Sequence, residues 1–184
     1  CPPGKNGHSI NNCELCPEGR VKRKNYGECI ACSTGRSSTA NRTDCQTCEA
    51  GKYAVQGICT ECPSGYYMKQ YNFSIPPINC EPTAPGSYQD EPGAKNYKDC
   101  PPGTYQNITG QKMCKNCTTG KISDKGFSKC ELCPSGFGGS QQNFNICTEC
   151  NSSQVTTREG VCDSCPNGTF LESDVSGICV DCPT

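Results

Sequence analysis

Residues Cys100–Cys117 read CPPGTYQNITGQKMCKNC, and this stretch decides the fold because almost all of the chain repeats its pattern. A cysteine opens the unit, Pro-x-Gly and an aromatic residue follow, a polar loop with a glycine comes next, and Cys-x-x-Cys closes it. Internal repeats of this kind are typical of arrays in which each unit packs on its neighbours. The chain is therefore predicted to be a series of small modules.

The opening cysteines set the module boundaries. They predict one continuous array over residues 1–184, with an irregular segment at 62–99. The chain begins on one opening cysteine and stops two residues after another, so we expect it to be a piece of a longer protein. Modules 1 to 11 open at Cys1, Cys16, Cys32, Cys48, Cys62, Thr83, Cys100, Cys117, Cys133, Cys150 and Cys165, and a truncated module opens at Cys182.

The composition argues against a fold built on one large apolar core. The 184 residues include 21 cysteines, no tryptophan and few Leu, Ile, Val or Phe residues, and such a cysteine content marks a disulfide scaffold. The net charge of −1 gives no electrostatic argument for binding nucleic acid or an anionic membrane. No apolar run approaches the roughly 20 residues that span a bilayer.

Each module reads as a hairpin that is too small to be stable without a covalent link. In Cys-Pro-x-Gly, the proline sets φ for a type I turn and the glycine suits the fourth position. Apolar residues after the glycine predict one short strand, and a second strand ends on the next cysteine. The predicted fold class is small, disulfide-rich and mostly irregular or β, an elongated solenoid-like rod of about eleven stacked hairpin modules with little or no helix.

Module 6 indicates how the cysteines pair. Thr83 and Tyr97 stand where its two cysteines would be, although the module keeps the shape of the repeat. Two cysteines that are missing together are most simply two partners. The resulting sequential rule joins the second cysteine of each Cys-x-x-Cys to the first cysteine of the next, and it leaves Cys182 to a partner beyond the chain.

Sequential pairing predicts ten disulfides, each worth roughly 3 kcal/mol in the loop-entropy model. Crossed pairing, first cysteine to third and second to fourth, stays open as the alternative, and it strands Cys80 and Cys100 unless they join each other. The sequential pairs are Cys1–Cys13, Cys16–Cys29, Cys32–Cys45, Cys48–Cys59, Cys62–Cys80, Cys100–Cys114, Cys117–Cys130, Cys133–Cys147, Cys150–Cys162 and Cys165–Cys179.

Other chemistry at the Cys-x-x-Cys pairs is disfavoured. Two such pairs match a four-cysteine zinc site, but these sites use pairs in even number and the chain has nine. A thioredoxin-type motif needs one Cys-x-x-Cys on a βαβ frame. The single histidine, His8, has no rigid frame for acid–base catalysis. We therefore expect no metal, no cofactor other than N-linked glycans, and no enzymatic activity.

The longest module, residues 62–80, has extra residues that are mainly apolar. One interpretation is that this long loop folds over module 6 and replaces the missing disulfide by apolar packing. A second is an exposed contact for a partner, since clustered exposed aromatic residues mark interfaces; a hinge is the third. The residues concerned are Tyr66, Tyr67, Met68, Tyr71, Phe73, Ile75 and Ile78.

Six Asn-x-Ser/Thr sequons occur, more than chance predicts for this composition. Most lie in predicted loops, where an acceptor for N-glycosylation must be. With the cysteines, they predict passage through the secretory pathway to the cell surface or the extracellular space. Asn116 differs from the others because Cys117 is the middle residue of its sequon. The acceptors are Asn41, Asn72, Asn107, Asn116, Asn151 and Asn167.

The stretch CPPGTYQNITGQKMCKNC resembles the ephrin-receptor-like cysteine-rich repeat, whose pattern is C-P-x-G-T-Y-x-x-x-x-G-x-x-x-C-x-x-C. That repeat is similar to modules of the tumour-necrosis-factor-receptor and growth-factor-receptor cysteine-rich families. The long Cys-x-x-Cys array also resembles the surface antigens of ciliates and diplomonads. The resemblance covers nearly the whole chain apart from residues 83–97, and it implies an extracellular stalk with a ladder of disulfides but no particular ligand.

Two functions are expected from these features. The first is a structural extracellular glycoprotein whose repeat rod forms a cell-surface coat, stalk or fibre, with copies of itself as partners. The alternative is a receptor ectodomain that binds an extracellular protein ligand through the aromatic residues of 66–78. Neither function involves nucleic acid or a membrane span in this segment.

Overall fold

The structure is a computed structural model, and it describes residues 1–7, 12–24, 27–69, 78–140, 145–172 and 178–182. In this part of the chain, twenty-two short strands form eleven antiparallel two-stranded hairpins, and there is no helix. The predicted fold class, a disulfide-rich chain of small β-hairpin modules, is confirmed. The described residues include no helical segment with the length and apolarity that crossing a bilayer requires.

Each hairpin belongs to one module and pairs two strands that are consecutive in the chain. In order, the strands are β1 (Lys5–Asn6), β2 (Glu14–Leu15), β3 (Arg20–Val21), β4 (Ile30–Ala31), β5 (Arg36–Ser38), β6 (Cys45–Thr47), β7 (Lys52–Val55), β8 (Ile58–Glu61), β9 (Tyr66–Tyr67), β10 (Glu81–Pro82), β11 (Ser87–Tyr88), β12 (Lys98–Asp99), β13 (Thr104–Tyr105), β14 (Lys115–Asn116), β15 (Lys121–Ile122), β16 (Glu131–Leu132), β17 (Phe137–Gly139), β18 (Cys147–Glu149), β19 (Gln154–Thr156), β20 (Cys162–Ser164), β21 (Thr169–Leu171) and β22 (Cys179–Asp181).

The opening turn of the module differs from the predicted type I turn. In module 7 the Thr104 N–H donates to the Pro101 carbonyl at 3.1 Å, so the turn starts at the proline and Gly103 takes its third position. Gly103 has a φ of +79°, which a type II turn requires there and a type I turn does not allow. The type I prediction was wrong because it started the turn on the cysteine, one residue too early.

Ten disulfides close the modules, each from the opening to the closing cysteine of one hairpin. Their Cα–Cα distances lie between 5.4 and 5.8 Å, and they join the pairs of the sequential rule, from Cys1–Cys13 to Cys165–Cys179. Cys182 has an exposed free thiol. The twenty bonded cysteines have no thiolate to offer a metal ion.

The chain divides into two compact units, one of Cys1–Thr83 with Gln89–Tyr97, the other of Ala84–Tyr88 with Lys98–Thr184. In the first unit, backbone hydrogen bonds tie neighbouring modules together at two recurring positions. The opening glycine is one of them, since the Gly4 N–H donates to the Lys22 carbonyl at 2.8 Å. The third residue after the glycine is the other, since the Lys22 N–H donates to the Arg42 carbonyl at 2.9 Å.

The second unit uses the same two positions. The opening glycines donate to the next module, Gly86 N–H to the Gln106 carbonyl at 2.7 Å and Gly103 N–H to the Ser123 carbonyl at 2.9 Å. The third residue after the glycine also donates forward, from the Gln106 N–H to the Phe127 carbonyl at 3.3 Å. The connection between modules therefore depends mainly on backbone atoms.

Burial is concentrated at two positions of the module. The opening residue is one, because Cys62, Thr83 and Cys100 are all 0% exposed. The third residue after the opening glycine is the other. Its most buried examples are Met68, Gln89, Gln106 and Ser123. Within each unit, the described residues thus have small buried sites between modules and no single large apolar core.

Candidate interaction surface

Module 6 keeps the geometry of its neighbours without a disulfide. In modules 6 and 7, the first residue of the first strand stands four positions after the opening residue, and its partner stands two positions after the closing residue. These pairs are Ser87 with Asp99 and Thr104 with Asn116. The Thr83 N–H donates to the Gly65 carbonyl at 2.9 Å, as the opening cysteines do to the preceding glycine. Thr83 therefore takes the place of an opening cysteine.

A buried glutamine holds the loop of module 6. The Gln89 Nε2 donates to the Asn96 carbonyl at 2.6 Å, and its Oε1 accepts from the Glu91 N–H at 3.1 Å. Asn96 directly precedes Tyr97, which stands at the closing position. The hydrogen bond to Asn96 therefore joins the two ends of the loop where a disulfide is missing, and the one from Glu91 orients the amide locally.

Module 7 has the same two glutamine hydrogen bonds beside an intact disulfide. The Gln106 Nε2 donates to the Met113 carbonyl at 2.7 Å, and its Oε1 accepts from the Ile108 N–H at 3.1 Å. Neither glutamine was predicted as a functional residue from the sequence. A signal was present, since Tyr-Gln follows the opening turn in these two modules, as Tyr88-Gln89 and Tyr105-Gln106.

Replacing Gln89 by alanine should open module 6 more than Gln106→Ala opens module 7. Each change removes two hydrogen bonds of a buried amide, at a cost of about 1–3 kcal/mol, but the Cys100–Cys114 disulfide still closes module 7. Hydrogen exchange read by mass spectrometry over residues 89–97 and 106–113 compares the two loops. Equal loss of protection in both loops would show that Gln89 does not compensate for the missing disulfide.

An aromatic contact joins module 5 to the closing position of module 6. The rings of Tyr67 and Tyr97 meet edge-on with centroids 5.4 Å apart. The Lys69 Nζ lies 5.6 Å from the centroid of Tyr67 and 6.0 Å from that of Tyr97, within the range of a cation–π interaction. This contact is of the kind that the packing interpretation of the long module predicts.

The structure divides the predicted aromatic patch. Tyr67 and Met68 are only 8% and 2% exposed, so they face the protein. Tyr66 is half-buried and Ile78 is 54% exposed. The remaining members, Tyr71, Phe73 and Ile75, lie outside the described residues. Of the four described residues of the patch, two are therefore buried, one is half-buried and only Ile78 is exposed to a partner.

The structure places five of the six sequon asparagines at the surface. Asn41, Asn107, Asn116, Asn151 and Asn167 are exposed, and Asn72 lies outside the described residues, as does His8. The Asn41 Oδ1 accepts from the Thr43 N–H and hydroxyl at 3.4 and 2.8 Å, a local turn within the sequon itself. Asn116 is exposed on β14 beside the bonded Cys117.

The charged groups do not form a recognisable catalytic or metal centre in the described ranges. No three His, Cys, Asp or Glu side chains come together there as metal ligands would. Asp44 has a shifted pKa: the hydrogen bond that its carboxylate accepts from the Arg23 guanidinium, with the one from the Cys45 N–H, holds the pKa below its ordinary value. This carboxyl belongs to a surface ion pair.

No family model matches the chain. In an alignment 136 positions long that covers 68% of the chain, it is 31% identical to the Sushi, von Willebrand factor type A, EGF and pentraxin domain-containing protein 1 of Rattus norvegicus. It is 32% identical over the same length to the protein of that name from Mus musculus. The chain spans 4% of the length of these relatives.

These observations decide the class of the chain. It is a cysteine-rich repeat protein. Its ten disulfides follow the Cys-x-x-Cys spacing, and its similarity is to a small part of large multidomain proteins. The closer resemblance of this repeat protein to ephrin-receptor-like repeats and to protist surface antigens stays a prediction.

Proposed function

We propose that the chain is part of a structural extracellular glycoprotein, in which the array of modules forms a cell-surface coat, stalk or fibre. The observation that carries this proposal is that the same two backbone N–H groups of the module donate hydrogen bonds to the next module at successive junctions in each unit. Because these junctions depend mainly on backbone atoms, the same junction can be repeated over many modules while the side chains of the loops vary.

The extracellular location is supported by the disulfides. Ten disulfides in one chain are stable in an oxidising compartment and are rare in the cytosol. The similarity to a relative named for Sushi, EGF and pentraxin domains agrees with this location for the present chain. The exposed asparagines of five sequons support N-glycosylation of the protein.

The same architecture supports a non-enzymatic role. Twenty of the cysteines that would be nucleophiles or metal ligands are bonded to one another, and a cleft between modules such as the one lined by Gly138, Thr148 and Val161 is open to solvent. We propose that the partners are copies of the chain, and that N-linked glycans are the main non-protein component.

Electron microscopy of the native secreted material, combined with endoglycosidase treatment, tests the proposal. We expect ordered polymers or coats, and a decrease in mass when N-linked glycans are removed. Isolated chains that bind an extracellular protein, and lose binding when Tyr66 or Ile78 is replaced by alanine, would instead establish the receptor function. Lys112→Ala, an exposed change far from both residues in the sequence, is the control for nonspecific loss of binding.

A further inference from the structure

The basic side chains of the protein are unevenly distributed. Four of the five arginines lie between Arg20 and Arg42, and residues 20–24 read RVKRK. By contrast, residues 131–184 contain seven carboxylates and a single basic residue, Arg158. The net charge of −1 therefore conceals a local excess of positive charge in modules 2 and 3.

Contacts between modules 2 and 3 gather these basic groups at one place. The Arg23 Nη2 lies 2.7 Å from Asp44 Oδ1 in the next module, and the charge of Arg36 also acts on Asp44. The Lys22 N–H donates to the Arg42 carbonyl at 2.9 Å. Charged side chains of both modules thus share one part of the surface.

The carboxylates in this region neutralise only part of the charge. Residues 14–44 contain six basic side chains and four carboxylates, Glu14, Glu18, Glu28 and Asp44. Glu18 pairs with the Arg42 guanidinium at 3.1 Å, and that guanidinium also donates to Ser38 Oγ at 2.9 Å. Arg42, whose side chain is 18% exposed, is therefore held by the fold.

Other basic groups of the cluster face solvent. Arg20 is exposed, donates from Nη1 to the Cys29 carbonyl at 3.3 Å, and shares an open groove with Glu14 and Glu28. Lys24 is exposed and has no ion pair among the described residues. Arg23 pairs with Asp44, but its side chain is 54% exposed. Arg20, Arg23 and Lys24 are thus accessible to a ligand.

We propose that this basic surface, formed by Arg20, Arg23, Lys24 and Arg36, binds a linear sulfated polysaccharide. Arginine is suited to this ligand because its planar, weakly hydrated guanidinium donates two parallel hydrogen bonds to an oxyanion such as sulfate. Sulfated polysaccharides are also polyanions of the oxidising extracellular space in which a protein with ten disulfides persists. The carboxylates of residues 131–184 repel such a chain, and residues 95–129, although they carry seven lysines and two carboxylates, contain no arginine. The guanidinium fork therefore favours the arginine-containing surface over the lysine-rich stretch.

The Asp44 carboxylate weakens the binding of sulfate to this surface. The pKa of Asp44 is held below its ordinary value by Arg23, so the carboxyl is ionised at neutral pH and competes with sulfate for the guanidinium. Asp44→Asn removes this charge and keeps an Oδ1 atom that accepts from the Cys45 N–H, now at 2.9 Å. A residue that only stabilised the fold would not give tighter binding when it is replaced.

Retention of the full 184-residue chain on immobilised heparin, over a series of salt concentrations, tests the proposal with one probe. We expect Arg20→Glu with Lys24→Glu to weaken binding at least tenfold and to lower the slope of log K against log salt by about two, as for lost contacts to another polyanion. Asp44→Asn should strengthen binding and raise the slope by about one.

Lys95→Glu with Lys112→Glu is the matched control, because both lysines are exposed, lie outside the cluster and give the same net charge as the first double variant. It should leave retention nearly unchanged. Equal weakening by the control, failure of Asp44→Asn to strengthen binding, or equally tight binding of single-stranded DNA or fully desulfated heparin would overturn the proposal. Unfolding curves of each variant show whether the fold is intact.

Discussion

Replacing Gly86 by alanine should destabilise the second unit by about 2–5 kcal/mol. Gly86 has a φ of +84°, and an L-residue in this left-handed region costs roughly 1–2 kcal/mol. A Cβ at this position would also overlap the carbonyl oxygen of Gly126, two modules further along the chain, and such overpacking typically adds about 1–3 kcal/mol. Chemical unfolding monitored by hydrogen exchange measures the loss.

Gly136→Ala separates the two causes. Gly136 has nearly the same φ, +83°, but no atom lies within 4 Å of the position that a Cβ would take. This variant should therefore show only the conformational cost of roughly 1–2 kcal/mol. Equal destabilisation by the two substitutions would mean that the close approach of Gly86 to Gly126 does not hold the modules together.

Introducing cysteines at both Thr83 and Tyr97 should create an eleventh disulfide and stabilise module 6 by up to about 3 kcal/mol. The two positions have the same register as Cys100 and Cys114 in module 7, whose Cα atoms are 5.7 Å apart. The gain is reduced by loss of the Tyr67–Tyr97 ring contact, worth about 0.5–1.5 kcal/mol. Thiol counting and hydrogen exchange over residues 89–97 measure the result.

The single variants Thr83→Cys and Tyr97→Cys are the controls, because each adds a cysteine without a partner in the module. Neither should increase protection of residues 89–97, and Tyr97→Cys should decrease it. Two reactive thiols in the double variant, with protection no higher than in the native chain, would show that module 6 does not have the geometry of a disulfide-closed module.

Much of the local fold could be predicted from the sequence because each module repeats the same few determinants. The glycine after the opening proline and the apolar residues behind it predict a turn and a strand, as in Gly103-Thr104-Tyr105, where β13 begins directly after the glycine. The absence of two cysteines from module 6 favoured the pairing that the structure contains. The turn type was missed because one residue of offset changes it.

The contacts between modules could not be predicted, because they are made mainly by backbone atoms. Nothing in the identity of Lys22 or Met68 indicates that its N–H donates to the loop of the next module. The burial of Tyr67 and Met68 depends on module 6, so the composition of the long module alone could not distinguish packing from an exposed patch. The basic cluster was not predicted because the net charge of the whole chain, −1, does not reveal a local excess of positive charge.

The claim that a disulfide joins the opening and closing cysteines of the same module is tested most directly by a non-reduced tryptic map of the deglycosylated chain. Cleavage after Lys98, Lys112 and Lys115 isolates Cys100 in residues 99–112 and Cys114 in residues 113–115. Closure of each module by its own disulfide predicts that these two peptides are joined to each other alone. A disulfide between residues 99–112 and residues 70–95, joining Cys100 to Cys80, would contradict it.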